Sequence, residues 1–142
     1  MSHLSAFLKP AYKEKTVEVI VGDRFLDEEG KPVPFILKSM TQEQLQALAK
    51  RSMREKIVNG KRVQEFDKIE HINRCIVASC IQPNMQDREL CLAYGTEDPL
   101  LLPQKMLLVS EYEKLGRAFS VLNGLMDEDD YESELAGDVT KN

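Results

Sequence analysis

The sequence predicts an α+β protein: an N-terminal antiparallel β-hairpin followed by a mainly helical body of about four to five helices. Three observations carry this. β-Branched residues alternate through Thr16-Val17-Glu18-Val19-Ile20-Val21, the pattern of a half-buried strand. After Thr41 the apolar period changes from two to about 3.6. Beyond that point Pro83, Gly95, Pro99 and Gly124 punctuate the chain at helix-length intervals. With 142 residues, 42% hydrophobic and 30% charged, the chain has apolar content for one core and too little length for a second. Residues 1–126 are expected to form a single domain, with the hairpin at about 15–39 and the helical body at about 41–125.

Each element has its own local reason. Leu4, Phe7 and Leu8 fall at i, i+3 and i+4 before Pro10, giving a short amphipathic helix that proline stops and that is too short to be stable alone. The strand at Thr16 places Val17, Val19 and Val21 on one face. A second extended run, Val33 to Lys38, follows the turn residues Asp27-Glu28-Glu29-Gly30-Lys31 and pairs most economically with the first. Pro34 cannot donate to a ladder, so this run is expected at a sheet edge or with Pro34 facing outward. Thr41-Gln42-Glu43-Gln44 is a capping box, and Leu45, Leu48, Ala49 and Met53 continue it as one helix to Asn59-Gly60. Phe66, Ile69, Ile72, Ile76, Val77 and Cys80 form the stripe of the longest helix, which Pro83 stops. Asp87 caps a short helix closed by Gly95, and Pro99 to Met106 forms another. Ser110-Glu111-Tyr112-Glu113 is a second capping box, opening a last helix with Tyr112, Leu115, Phe119 and Leu122 on one face.

The formal charge of −5 is unevenly spread. Asp127 to Asn142 holds seven carboxylates against Lys141, a net −6, which leaves the other residues at +1. A near-neutral body with an acidic tail lacks the cationic surplus of a nucleic-acid binder. The acidic residues after Gly124 lack regular apolar spacing, and 127–142 is expected to be a disordered tail. Met1 to Leu8 has no basic leader, and nowhere do about 18 apolar residues occur in a row. The expectation is a cytoplasmic chain without a membrane span. Cys75, Cys80 and Cys91, an odd count without framework spacing, suit reduced thiols.

Clustered chemistry is sparse. His71 and Cys75 share a helix face at i, i+4, but Cys80 lies about 140° away by helical rotation, so spacing does not assemble a three-ligand metal site. Two histidines offer little general-base material, and nothing specifies an oxyanion site. The acidic runs at Asp23 to Gly30 and Asp127 to Asp130 lack the ligand positions of a calcium loop, and the glycines stand singly without a phosphate-cradling loop. No catalytic, cofactor or metal residue is therefore assigned, and the chain reads as a non-enzyme. Lys50, Arg51, Arg54, Lys56, Lys61 and Arg62 around Asn59-Gly60 suggest a helix-turn-helix, the basis of an alternative reading as a small nucleic-acid-associated regulator. Against it, the following helix opens without a polar, base-reading face.

The strongest remaining signal is apolar surface potential. Leu100, Leu101, Leu102, Met106, Leu107, Leu108 and Val109 crowd around Pro103, more than the inward stripe of a short helix needs. Six methionines add contacts that adapt to varied apolar partners. Leu100, Leu101, Leu102, Met106, Leu107 and Leu108, together with Leu4, Phe7 and Leu8, are the candidate partner-binding residues. A homo-oligomer is left open.

The order of several short segments resembles a known family. They are Leu4-Ser5-Ala6-Phe7-Leu8; Val19 to Phe25 with Asp27 to Phe35; Leu37 to Glu43; Ile76 to Pro83; Ala93-Tyr94-Gly95; Met106-Leu107; Glu111 to Leu115; Leu122-Asn123-Gly124; and Lys141-Asn142. In this combination, nearly end to end, the chain is similar to the phage tail assembly chaperones of the XkdN-like group, found in prophages of Gram-positive bacteria. The resemblance implies a non-enzymatic role in tail morphogenesis, with the tape-measure protein as partner and tail-tube subunits as a second. It also implies action in the bacterial host cytoplasm without a cofactor.

Overall fold

In a computed structural model of the chain, residues 3–8 and 14–127 are described. The alternating run at Thr16 forms strand β1 (Thr16–Val19), paired antiparallel with β2 (Phe35–Lys38) from Thr16 opposite Lys38 to Val19 opposite Phe35. The expected hairpin is therefore present, but it is not the first element. Helix α1 (Leu4–Leu8) precedes it, and six helices occur among the described residues. The others are α2 (Gln42–Arg51), α3 (Lys68–Ser79), α4 (Arg88–Ala93), α5 (Leu102–Met106) and α6 (Val109–Leu122), with a 3-10 turn at Pro99–Leu101 leading into α5. The fold class is α+β.

Two strand assignments differ from the sequence reading. β2 is the central strand of a three-stranded sheet, because β5 (Cys80–Gln82) pairs antiparallel with its far edge. Pro34 is accommodated one residue ahead of the ladder, where its carbonyl accepts from Gln82 Nε2 at 2.8 Å. The α3 helix accordingly ends at Ser79, and Cys80 belongs to the strand. The larger difference lies between α2 and α3. Instead of one helix running to Asn59-Gly60, α2 stops at Arg51 and an antiparallel hairpin, β3 (Met53–Val58) and β4 (Lys61–Phe66), projects with all twelve strand residues exposed. Asn59 (φ 53°) and Gly60 (φ 77°) both take the left-handed conformation that a tight two-residue hairpin turn demands.

Local chemistry explains these boundaries. The Thr41 hydroxyl accepts from Gln44 N–H and the Gln44 side chain accepts from Thr41 N–H, so the predicted capping box starts α2. Buried Ser52 ends it. Its hydroxyl donates to the Leu48 carbonyl at 2.9 Å, and its own carbonyl accepts from Asp67 N–H at 2.8 Å, which closes the base of the β3–β4 hairpin. Asp67 then caps α3 through Glu70 N–H, as Asp87 caps α4 through Leu90 N–H. At α6 the N-cap is Leu108, not Ser110. Glu111 reaches back to accept from Leu108 N–H at 2.7 Å.

The core gathers the inward face of the sheet with α3, α5 and α6: Val21, Phe35, Leu37, Cys75, Ile76, Leu102, Met106, Leu115 and Phe119 are buried. A charged clamp locks the long β1–β2 connection onto it. Arg24 donates from Nε and Nη2 to the two oxygens of Glu111 at 2.9 and 2.5 Å, and also to the Met106 carbonyl at 2.8 Å. Its guanidinium lies 4.9 Å from the Phe25 ring centroid, and Phe25 packs edge-on to Phe35. Gly22 permits this approach, since a Cβ there would stand 3.3 Å from Glu111 Oε2. The clamp fixes the corner between α5 and α6 that carries Leu107, Leu108 and Val109.

Candidate functional site

One face of α6, made of Val109, Tyr112, Glu113, Gly116, Arg117 and Ser120, runs beside Lys68, Ile69, His71 and Ile72 of α3. The two helices leave a groove between them. It comprises two concavities of about 490 and 510 Å³ that share Lys68, Ile72, Tyr112 and Glu113. Leu107 and Gln104 complete one end, and Leu125 and Met126 line the other. Ile69 is 64% exposed and Val109 83% exposed, so the mouth is apolar and open to solvent.

Gly116 is the most informative residue in it. Glycine inside a helix is less favourable than alanine by about 1 kcal/mol, and such a residue normally marks a close approach. Here a Cβ at Gly116 would meet nothing within 4 Å, and its φ is not in the left-handed range. Nothing within the described chain requires glycine at this position. Its effect is to deepen the groove.

Beneath the groove a chain of polar contacts joins three helices. Tyr112 donates its hydroxyl to buried Asn73 Oδ1 at 2.7 Å, and Asn73 Nδ2 donates to Gln104 Oε1, linking α6, α3 and α5. Burial lowers the His71 pKa, so the ring is a neutral imidazole at physiological pH; it packs against Phe66 and its Nε2 lies 3.7 Å from Cys75 Sγ. Cys80 is held apart in β5, its thiol donating to the Gln82 carbonyl. Burial pushes the Cys75 thiol up to about 11 and that of Cys80 to about 12, so neither is a thiolate nucleophile at neutral pH. No group of three or more potential metal ligands converges among the described residues.

The structure separates the candidate partner-binding residues into two sets. Leu102, Met106 and Leu107 are 0%, 5% and 9% exposed and belong to the core, although Leu107 also reaches the groove wall. Leu101 and Leu108 are exposed, Leu100 is half-buried, and Leu4, Phe7 and Leu8 of α1 are all exposed. The groove also recruits residues the sequence reading had placed elsewhere: Ile69 was expected in the core stripe, and Gly116 carried no pattern. Of the basic stretch, Lys50 and Arg51 end α2 while Arg54, Lys56, Lys61 and Arg62 lie in the projecting hairpin, so no helix-turn-helix forms. Lys56 pairs with Glu65, Arg62 with Glu55 and Arg54 with Glu70. A further concavity of about 620 Å³ lies between β1 and α6.

The clamped α+β scaffold thus presents an apolar helix–helix groove above buried thiols. The chain matches the phage XkdN-like tail assembly chaperone family over residues 4–137, and it belongs to that family. It is 39% identical over 115 residues to the YqbN protein of Bacillus subtilis (strain 168), covering 79% of this chain and 76% of that protein. It is 34% identical over 122 residues to the XkdN protein of the phage-like element PBSX of the same organism, covering 83% and 82%. The fold matches the crystal structure of the protein YqbN with a TM-score of 0.69 at 30% identity, over 84% of this chain and 94% of that one. No helix among the described residues is long and apolar enough to cross a membrane.

Proposed function

We propose that this chain holds amphipathic helices of the tape-measure protein in the α3–α6 groove during tail morphogenesis, without catalysis, in the cytoplasm of the bacterial host. The observation that carries this reading is Gly116, whose missing side chain leaves room at the centre of an apolar groove at a cost to helix stability. A long helical protein with an exposed apolar stripe aggregates unless covered, and a groove of this kind accepts such a stripe at i, i+3, i+4 and i+7 spacing. Exposed Leu108, next in sequence to Val109, extends the contact surface, and exposed Leu101 and the Leu4, Phe7 and Leu8 side chains of α1 offer further apolar surface. Tail-tube subunits are the second class of partner. In this reading residues 1–126 are one binding unit, which the acidic 127–142 extension follows.

The test is co-expression with the tape-measure protein. The wild-type chain is expected to keep it in the soluble fraction. Gly116→Leu fills the groove from within, and should melt at the same or a higher temperature while losing this capacity. A Gly116→Leu protein that solubilises the tape measure as well as wild type contradicts the groove assignment.

A further inference from the structure

The groove stands where the chain leaves α6. Gly124 takes a φ of 71°, and Leu125 N–H turns back to donate to the Ser120 carbonyl at 2.8 Å, the left-handed ending that glycine permits. That turn brings Leu125 and Met126 onto the groove wall. The residues from 128 to 142, outside the described structure, therefore start at one end of the groove.

We propose that segment 128–142 occupies the α3–α6 groove in the unloaded protein and is displaced by the partner. Three features select this occupant. The first is reach: from Ser120 back to Val109 α6 runs about 17 Å, whereas fifteen residues span up to about 50 Å when extended. The second is charge. Residues 128–142 carry a net −5, while among the described residues the groove is lined by Lys68 and by Arg117, which pairs with Glu113 at 3.5 Å, a net +1. The third is pattern. Tyr131, Leu135 and Val139, sparse among the acids, fall four apart, so their side chains can lie on one side whether the segment coils or extends. A short tether supplies an effective concentration of about 1 mM. A trans affinity near that value already half-covers the groove, and nine-tenths coverage weakens apparent partner affinity about tenfold.

Displacement rests on the groove being the partner's site, whereas docking of the segment does not, and the experiment separates them. In the full-length chain, backbone amide resonances of Ile69, Tyr112 and Gly116 are compared between wild type and Tyr131→Ser/Leu135→Ser. They are expected to differ, and a synthetic 127–142 peptide added to the variant should return them saturably toward the wild-type positions. Identical groove resonances in the two proteins, unmoved by the peptide, overturn docking. Wild-type resonances that shift with protein concentration assign the segment to a neighbouring copy and overturn docking within one chain. The variant should also bind an amphipathic tape-measure fragment up to tenfold more tightly. Unchanged affinity beside a docked segment overturns displacement, and with it the groove as the partner's site.

Discussion

Glu111→Ala is expected to lower the melting temperature by roughly 10 °C, the largest single-residue effect of those considered. Its side chain is 3% exposed and accepts from Arg24 twice and from Leu108 N–H once. Truncating it removes the anchor of the β1–β2 connection and, among the described residues, the one side-chain acceptor at the α6 N-terminus. The stranded Arg24 guanidinium, 38% exposed, can turn to solvent, which limits the penalty of losing its carboxylate. Acidity provides a second readout. Hydrogen bonds from Arg24 first, and then the Leu108 N–H, hold the Glu111 carboxyl below its ordinary 4.5, against the opposing effect of burial. A carboxyl with a depressed folded-state pKa contributes stability that is present above the unfolded value and lost as pH falls through the folded value. Thermal melts of wild type and Glu111→Gln should therefore differ most near neutral pH and converge as pH falls below 4.5 and through the depressed folded-state value. A constant gap across that range would show that the charge is not what stabilises the corner.

The second large effect concerns binding. Ile69→Asp with Val109→Asp is expected to weaken tape-measure binding at least a hundredfold with little change in folding. Ile69 and Val109 are already exposed, so their substitution leaves no cavity. Both also sit in the first turn of their helices, where a carboxylate interacts favourably with the helix dipole. In the complex the same carboxylates would be buried against an apolar stripe without partners, at a combined cost of about 3–5 kcal/mol, or roughly two to three and a half decades of affinity. An equilibrium titration beside a thermal melt checks both halves of this expectation.

Some of this architecture is legible in the sequence because its causes are local. Thr41 and Gln44 lie three residues apart, and their reciprocal bonds need nothing else to start α2; Asp87 and Gly95 bracket α4 in the same way. The β3–β4 hairpin was obscured by two signals that overlap. Leu45, Leu48 and Met53 continue a helical spacing into Arg54–Val58, while Ile57-Val58-Asn59-Gly60 is a hairpin signal. The cross-strand pairs Lys56–Glu65 and Arg62–Glu55, which favour the hairpin, become visible only once the register is known. The clamp is less legible still. Arg24 and Glu111 are 87 residues apart, and no periodicity announces an ion pair. Because Arg24 and the Leu108 N–H claim Glu111, the cap falls at Leu108 and not at Ser110.

The candidate site shows the same division. The Leu100 to Val109 run was recognisable as excess apolar character, yet composition does not say which leucines face inward. The answer depends on how α5 packs against α3, which buries Leu102 and Met106 and leaves Leu101 and Leu108 outside. Gly116 is visible only as one glycine in a helical segment. Its significance comes from the open space around it.

The most direct test of the groove as the partner's site is amide hydrogen exchange of the full-length chain with and without the tape-measure fragment. Slowed exchange is predicted in α3 from Lys68 to Ile76 and in α6 from Val109 to Ser120, with the β3–β4 hairpin unchanged. Protection confined to the hairpin or to the β1 edge, with α3 and α6 exchanging as in the free protein, would contradict it.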